Sequence, residues 1–94
     1  MENSKYIVVE IFCSTMKMET PILFPACVGH EDMARSLGIT PEDVLAAGFV
    51  EIYPRRNRQI RVAASGQSTS LKVTSRKEDS ALIRKALNIA EIVE

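Results

Sequence analysis

The segment Lys5–Cys13, KYIVVEIFC, sets the hardest condition on any fold for this chain. Its β-branched and aromatic residues favour an extended conformation. Ile7, Val9, Ile11 and Cys13 then line one face of the strand, and Tyr6, Val8 and Phe12 line the other, interrupted by Glu10. A strand that is apolar on both faces needs cover above and below. The chain has 94 residues to provide that cover. At this length a single domain spanning residues 1–94 is expected, with about 60–65% of the unfolded surface buried around one core.

The rest of the sequence supplies candidate elements. Residues 14–19, STMKME, read as a turn. Pro21–Pro25 is a short apolar piece bracketed by prolines; because proline has no N–H for a ladder, it is an edge strand at best. A short helical pair follows. Residues 30–37 open with acids and stop at Gly38, in the place of a helix-terminating glycine. Thr40-Pro41-Glu42-Asp43 then reads as the capped start of a second helix, cut off by Gly48. Phe49–Tyr53 and Gln59–Ala64 flank the polar turn Pro54–Arg58 as a β-hairpin with a basic tip. Ser65–Ser70 reads as a loop and Leu71–Thr74 as a further strand. Ser75-x-x-Glu78 has the spacing of a capping box, and Leu82, Ile83, Ala86, Leu87 and Ala90 repeat with helical period behind it.

The order implies an α+β fold: a small antiparallel sheet of four to five strands, one long C-terminal helix, and the short helical pair after the second strand. One helix cannot cover both faces of such a sheet. The second face therefore calls for the short helices or for a second copy of the chain, which makes a homodimer an expectation.

With 46% hydrophobic and 26% charged residues the chain is not of disordered composition. It has no basic leader or long apolar run, so a cytoplasmic protein with no membrane span is expected, with Cys13 and Cys27 as free thiols. Twelve bases balance twelve acids, but unevenly. Residues 1–54 hold eight acids and three bases, a net of −5, and residues 55–94 hold nine bases and four acids, a net of +5.

Four constellations carry possible chemistry. Ala34, Gly38, Ile39 and Val44 have the spacing of a helix-turn-helix, but its second helix would open on Pro41, Glu42 and Asp43 and hold no Arg, Lys, Asn or Gln to read a base. Arg55, Arg56, Arg58 and Arg61 crowd one turn, and Lys72, Arg76 and Lys77 extend the set as candidate anion or nucleic-acid contacts. Cys27-x-x-His30 is half of a metal site in a chain with one histidine, so Cys27 is read as a packed residue, His30 as a helix-start polar residue, and no metal is assigned. Ser65, Ser68 and Ser70 surround Gly66 without a nucleophile-elbow pattern, and no glycine-rich phosphate loop exists. No catalytic residue and no cofactor are assigned.

Ile22-Leu23-Phe24-Pro25, His30, Met33-Ala34, Ala47-Gly48-Phe49-Val50, Gly66-x-Ser68-x-Ser70-Leu71, Ser75-Arg76 and Asp79 together resemble a group of short uncharacterised bacterial proteins, often encoded beside phage-derived genes. The resemblance runs over most of residues 20–88 and implies a complete small domain with no assigned activity. It also implies that Ala-Gly-Phe-Val begins a strand. The expected function is a small, dimeric, non-enzymatic interaction module acting on a protein partner. The alternatives are a nucleic-acid-binding accessory protein using the basic 55–61 hairpin and, less favoured, a helix-turn-helix regulator.

Overall fold

The structure, a computed structural model, describes residues 4–54 and 60–93. Strand β1 (Ser4–Cys13) and strand β2 (Met16–Pro25) form a long antiparallel hairpin. The turn is only Ser14-Thr15, with Ser14 at φ 57°. The expected turn over 14–19 is thus mostly strand: Met16–Thr20 alternates with no proline, and each residue finds a partner on β1. Pro21 and Pro25 lie on the outer strand of the sheet, where a missing N–H faces no neighbour.

Helix α1 (His30–Ser36) follows and ends at Gly38, whose φ of +74° supplies the left-handed turn. The expected second helix does not form. Pro41–Asp43 makes one 3-10 turn, held by the Thr40 hydroxyl donating to Asp43 Oδ2 at 2.6 Å. Val44 then enters strand β3 (Val44–Pro54). The capping signal was real, but the next residues, Val44-Leu45-Ala46-Ala47, bury better on the sheet than on a two-turn helix. A helix-turn-helix therefore lacks its recognition helix.

Strand β4 (Ile60–Ser65) pairs with β3, and the sheet order is β2-β1-β3-β4. A separate two-stranded piece, β5 (Gln67–Ser68) with β6 (Val73–Thr74), follows. Helix α2 (Asp79–Val93) closes the chain. Helix α2 runs for fifteen residues, of which the side chains of residues 79–87 are described. The helix starts later than the Ser75 capping box implied: Leu82 N–H bonds Glu78 O, and it is Asp79 that reaches back to the Arg76 N–H at 2.8 Å.

From Tyr6 to Val9 both apolar faces of β1 are covered within one chain. Tyr6 and Val8 pack with Ala46, Val50 and Ile83, under α2. Ile7 and Val9 pack with Phe24, Ala34, Val44, Ala47 and Leu71, under α1 and the 67–74 segment. Over this part of the sheet the cover comes from α1, α2 and the 67–74 segment of the same chain.

Candidate functional site: a groove along the free edge of β1

The central hairpin is longer than its neighbour. β1 pairs with β2 along its whole length, Ser4↔Pro25 to Cys13↔Met16, but with β3 only from Ser4↔Val50 to Val9↔Val44. The pairing is interrupted between Val8 and Val9, where Leu45 is the extra residue of a β-bulge on β3. Immediately before it lies the 3-10 turn with Pro41, which cannot extend the ladder. β3 therefore starts beside Val9, and the two-stranded end of the hairpin projects past the rest of the sheet. Among the described residues no strand pairs with Glu10–Cys13 on the β3 side. Alternate residues of that stretch direct both N–H and C=O into the gap.

The gap is a groove of about 630 Å³. One wall is the β1 edge from Val9 to Phe12, and the other is the connection Leu37-Gly38-Ile39 with Glu42, Asp43 and Leu45. Ile22 contributes from β2. The lining is mainly aliphatic, and among the described residues its only charged members are Glu10, Glu42 and Asp43, with no base. The projecting end is unusually apolar for a surface. Phe12 is 68% exposed, Met16 66%, Met18 51% and Ile11 45%. Ile11 lies opposite Met18 in register, and Lys17 Nζ sits 5.6 Å from the centre of the Phe12 ring opposite it.

A second polar cluster lies on the other side of the hairpin. Asp79 is fully buried and accepts from the Tyr6 hydroxyl at 2.5 Å, from the Arg76 N–H at 2.8 Å and from Arg76 Nε at 2.9 Å. The Arg76 guanidinium also donates to Glu19 Oε1 at 3.0 Å. Burial and the adjacent Asp79 carboxylate push the Tyr6 hydroxyl far above the ordinary tyrosine range, so it serves as a fixed donor. Every buried polar atom in this cluster has a partner. It ties β1, β2 and the start of α2 together and leaves no group free for a substrate.

Of the candidate contacts read from the sequence, four lie among the described residues. Arg55, Arg56 and Arg58 lie outside the described residues. Arg61, Lys72 and Lys77 are exposed, on β4, before β6 and before α2. Arg76 was expected to face an anion, but Asp79 and Glu19 occupy its guanidinium. The sequence reading of the basic set missed this because Glu19 is 57 residues away in the chain.

The pair Cys27 and His30 is split. Cys27 is exposed and not packed as expected. His30 is buried between the Phe24 and Phe49 rings, edge-on to both, and its Nε2 donates to Gly48 O at 2.8 Å. No metal-holding group of His, Cys, Asp and Glu is found among the described residues. Ser68 is buried too, and its hydroxyl accepts from the Leu71 N–H to shape the turn that presents Leu71 to the core. None of the described helices is long and apolar enough to cross a membrane. The groove went unforeseen because it arises from unequal strand lengths, and the sole trace in the sequence was the pairing of exposed apolar residues with acids at Glu10 and Glu42-Asp43. No family model, no curated protein and no solved structure matches the chain.

Proposed function

We propose that the protein is a non-enzymatic interaction module that docks a protein partner in the groove beside β1. One observation carries this reading: the hairpin projects beyond the sheet with an unpaired edge at Glu10–Cys13 and with Ile11, Phe12, Met16 and Met18 exposed on it. An open, apolar strand edge is a liability that small proteins normally blunt. Its retention here is accounted for if a partner covers it.

The test is selection from a display library of random peptides on the immobilised full chain, in parallel with an Ile11→Ser/Phe12→Ser variant. Both residues are exposed, so the variant should keep the wild-type circular dichroism spectrum and melting temperature. Sequences enriched on the wild type and lost on the variant support the reading. No enrichment, or equal enrichment on both, overturns it. Labelled DNA and RNA in a salt series address the rival. Binding that falls steeply with salt and vanishes when Arg55, Arg56 and Arg58 become Ala would replace the module with a nucleic-acid-binding protein.

A further inference from the structure

We infer that the groove takes its partner as an extended, basic segment that adds a strand to β1 at Glu10–Cys13. This rests on the reading of the groove as a docking site and specifies its occupant. Two independent features lead to it.

The first is the backbone. A free strand edge of four residues, running alongside an aliphatic wall, is satisfied by another extended chain through main-chain hydrogen bonds. A helix laid in the same groove would leave those edge groups without partners. At about 3.3 Å per residue the free stretch is about 13 Å long, enough for four or five residues of a guest strand. The bulge at Leu45 and the Pro41 turn keep β3 from filling the space itself.

The second is charge. Glu10 sits on the free edge, and Glu42 and Asp43 belong to the other wall, with no base in the lining among the described residues. A guest alternating apolar and basic side chains would place its apolar residues against Leu37 and Ile39 and its cations toward the acids. The same acids argue against two copies of this edge pairing with each other, because a second β1 edge entering the groove would add its own Glu10 to a lining whose charged residues are already acidic. The acids thus select against self-association as well as for a basic guest.

The experiment uses the full chain and a synthetic, end-blocked, fluorescently labelled peptide alternating Val and Lys, about six residues long, a typical strand length. Binding is read by anisotropy, and its location by hydrogen exchange. The Val/Lys peptide should bind, its affinity should weaken with salt, and it should slow exchange within Glu10–Cys13. A Val/Glu peptide should bind about tenfold or more weakly. A Glu10→Lys/Glu42→Lys variant should reverse that preference; neither carboxylate makes a side-chain hydrogen bond among the described residues, so the fold should survive. A Val/Lys peptide N-methylated throughout its centre, with the same charge and no backbone donors, should lose binding.

Equal binding of the basic and acidic peptides, or undiminished binding of the methylated one, overturns the inference. If display selects helical or acidic ligands that map to Ile11 and Phe12, the docking site stands and this occupant is wrong. If display selects nothing, both fall. A concentration-dependent dimer dissolved by Glu10→Lys/Glu42→Lys would assign the groove to a second copy and overturn the inference as well.

Discussion

Gly48 is the position where the fold tolerates nothing larger. A Cβ there would lie 2.5 Å from the Ser65 carbonyl oxygen, which is backbone and cannot turn away. Gly48→Ala should therefore lower stability by about 1–3 kcal/mol through overpacking, measured by urea unfolding. Gly38 makes a different demand: it has open space around it but a φ of +74°, so Gly38→Ala should lower stability by about 1 kcal/mol through backbone strain alone. Tyr6 offers a pH-dependent test. Tyr6→Phe removes a buried hydrogen bond to a carboxylate, a loss of about 1.5–3 kcal/mol at neutral pH. In the unfolded chain a tyrosine ionises near pH 10, whereas the folded-state value is raised well above that. The stability contributed by Tyr6 is therefore complete below about pH 10 and lost progressively as pH rises beyond it. The gap in urea midpoint between wild type and Tyr6→Phe should be constant from neutral to mildly alkaline pH and narrow above about pH 10. A gap that stays constant would show that the phenol is not held as described.

Cross-strand register matters most in the β1–β2 hairpin. Glu10 and Glu19 stand directly opposite each other, an unfavourable pair of like charges that Arg76 relieves from the Glu19 side. Glu10→Lys should place a base beside Glu19 and raise stability by a few tenths of a kcal/mol, seen as a small rise in melting temperature. The same hairpin shows where sequence reading succeeds and where it stops. Its first strand was legible because β-branched residues and two-face apolarity leave few alternatives. Its second was half legible: the prolines at 21 and 25 marked an edge, but Met16–Thr20 alternates exposed Met with charged residues, and only pairing with β1 makes it a strand. Val44–Ala47 was misread for the opposite reason. The local signal at Thr40-Pro41-Glu42-Asp43 favours a helix start, but burial of Val44, Ala46 and Ala47 on β1 decides the outcome.

At the scale of the whole molecule, the uneven charge along the sequence is partly cancelled inside the fold. Arg76, from the basic second half, reaches Glu19 in the acidic first half. The same contact reduces the basic set available to a nucleic-acid partner, while Glu10, Glu42 and Asp43 keep their negative charge at the groove. α+β class, the β3–β4 hairpin and the two-sided first strand followed from local patterning. The groove did not, because it is a difference between the lengths of two paired strands.

The Tyr6–Asp79 hydrogen bond spans 73 positions of the chain. At about 5–20 residues per second of synthesis, Tyr6 waits roughly 4–15 s for its acceptor to be made. Throughout that interval the Tyr6-Val8 side of β1 has neither Ile83 nor α2 above it. The Tyr6-Val8 face of the nascent strand therefore stays bare until α2 has been made, and its cover is among the last parts of the core to form. A chain stalled before Asp79 should be bound by chaperones and cut readily by protease, whereas one extended through α2 should close over that face.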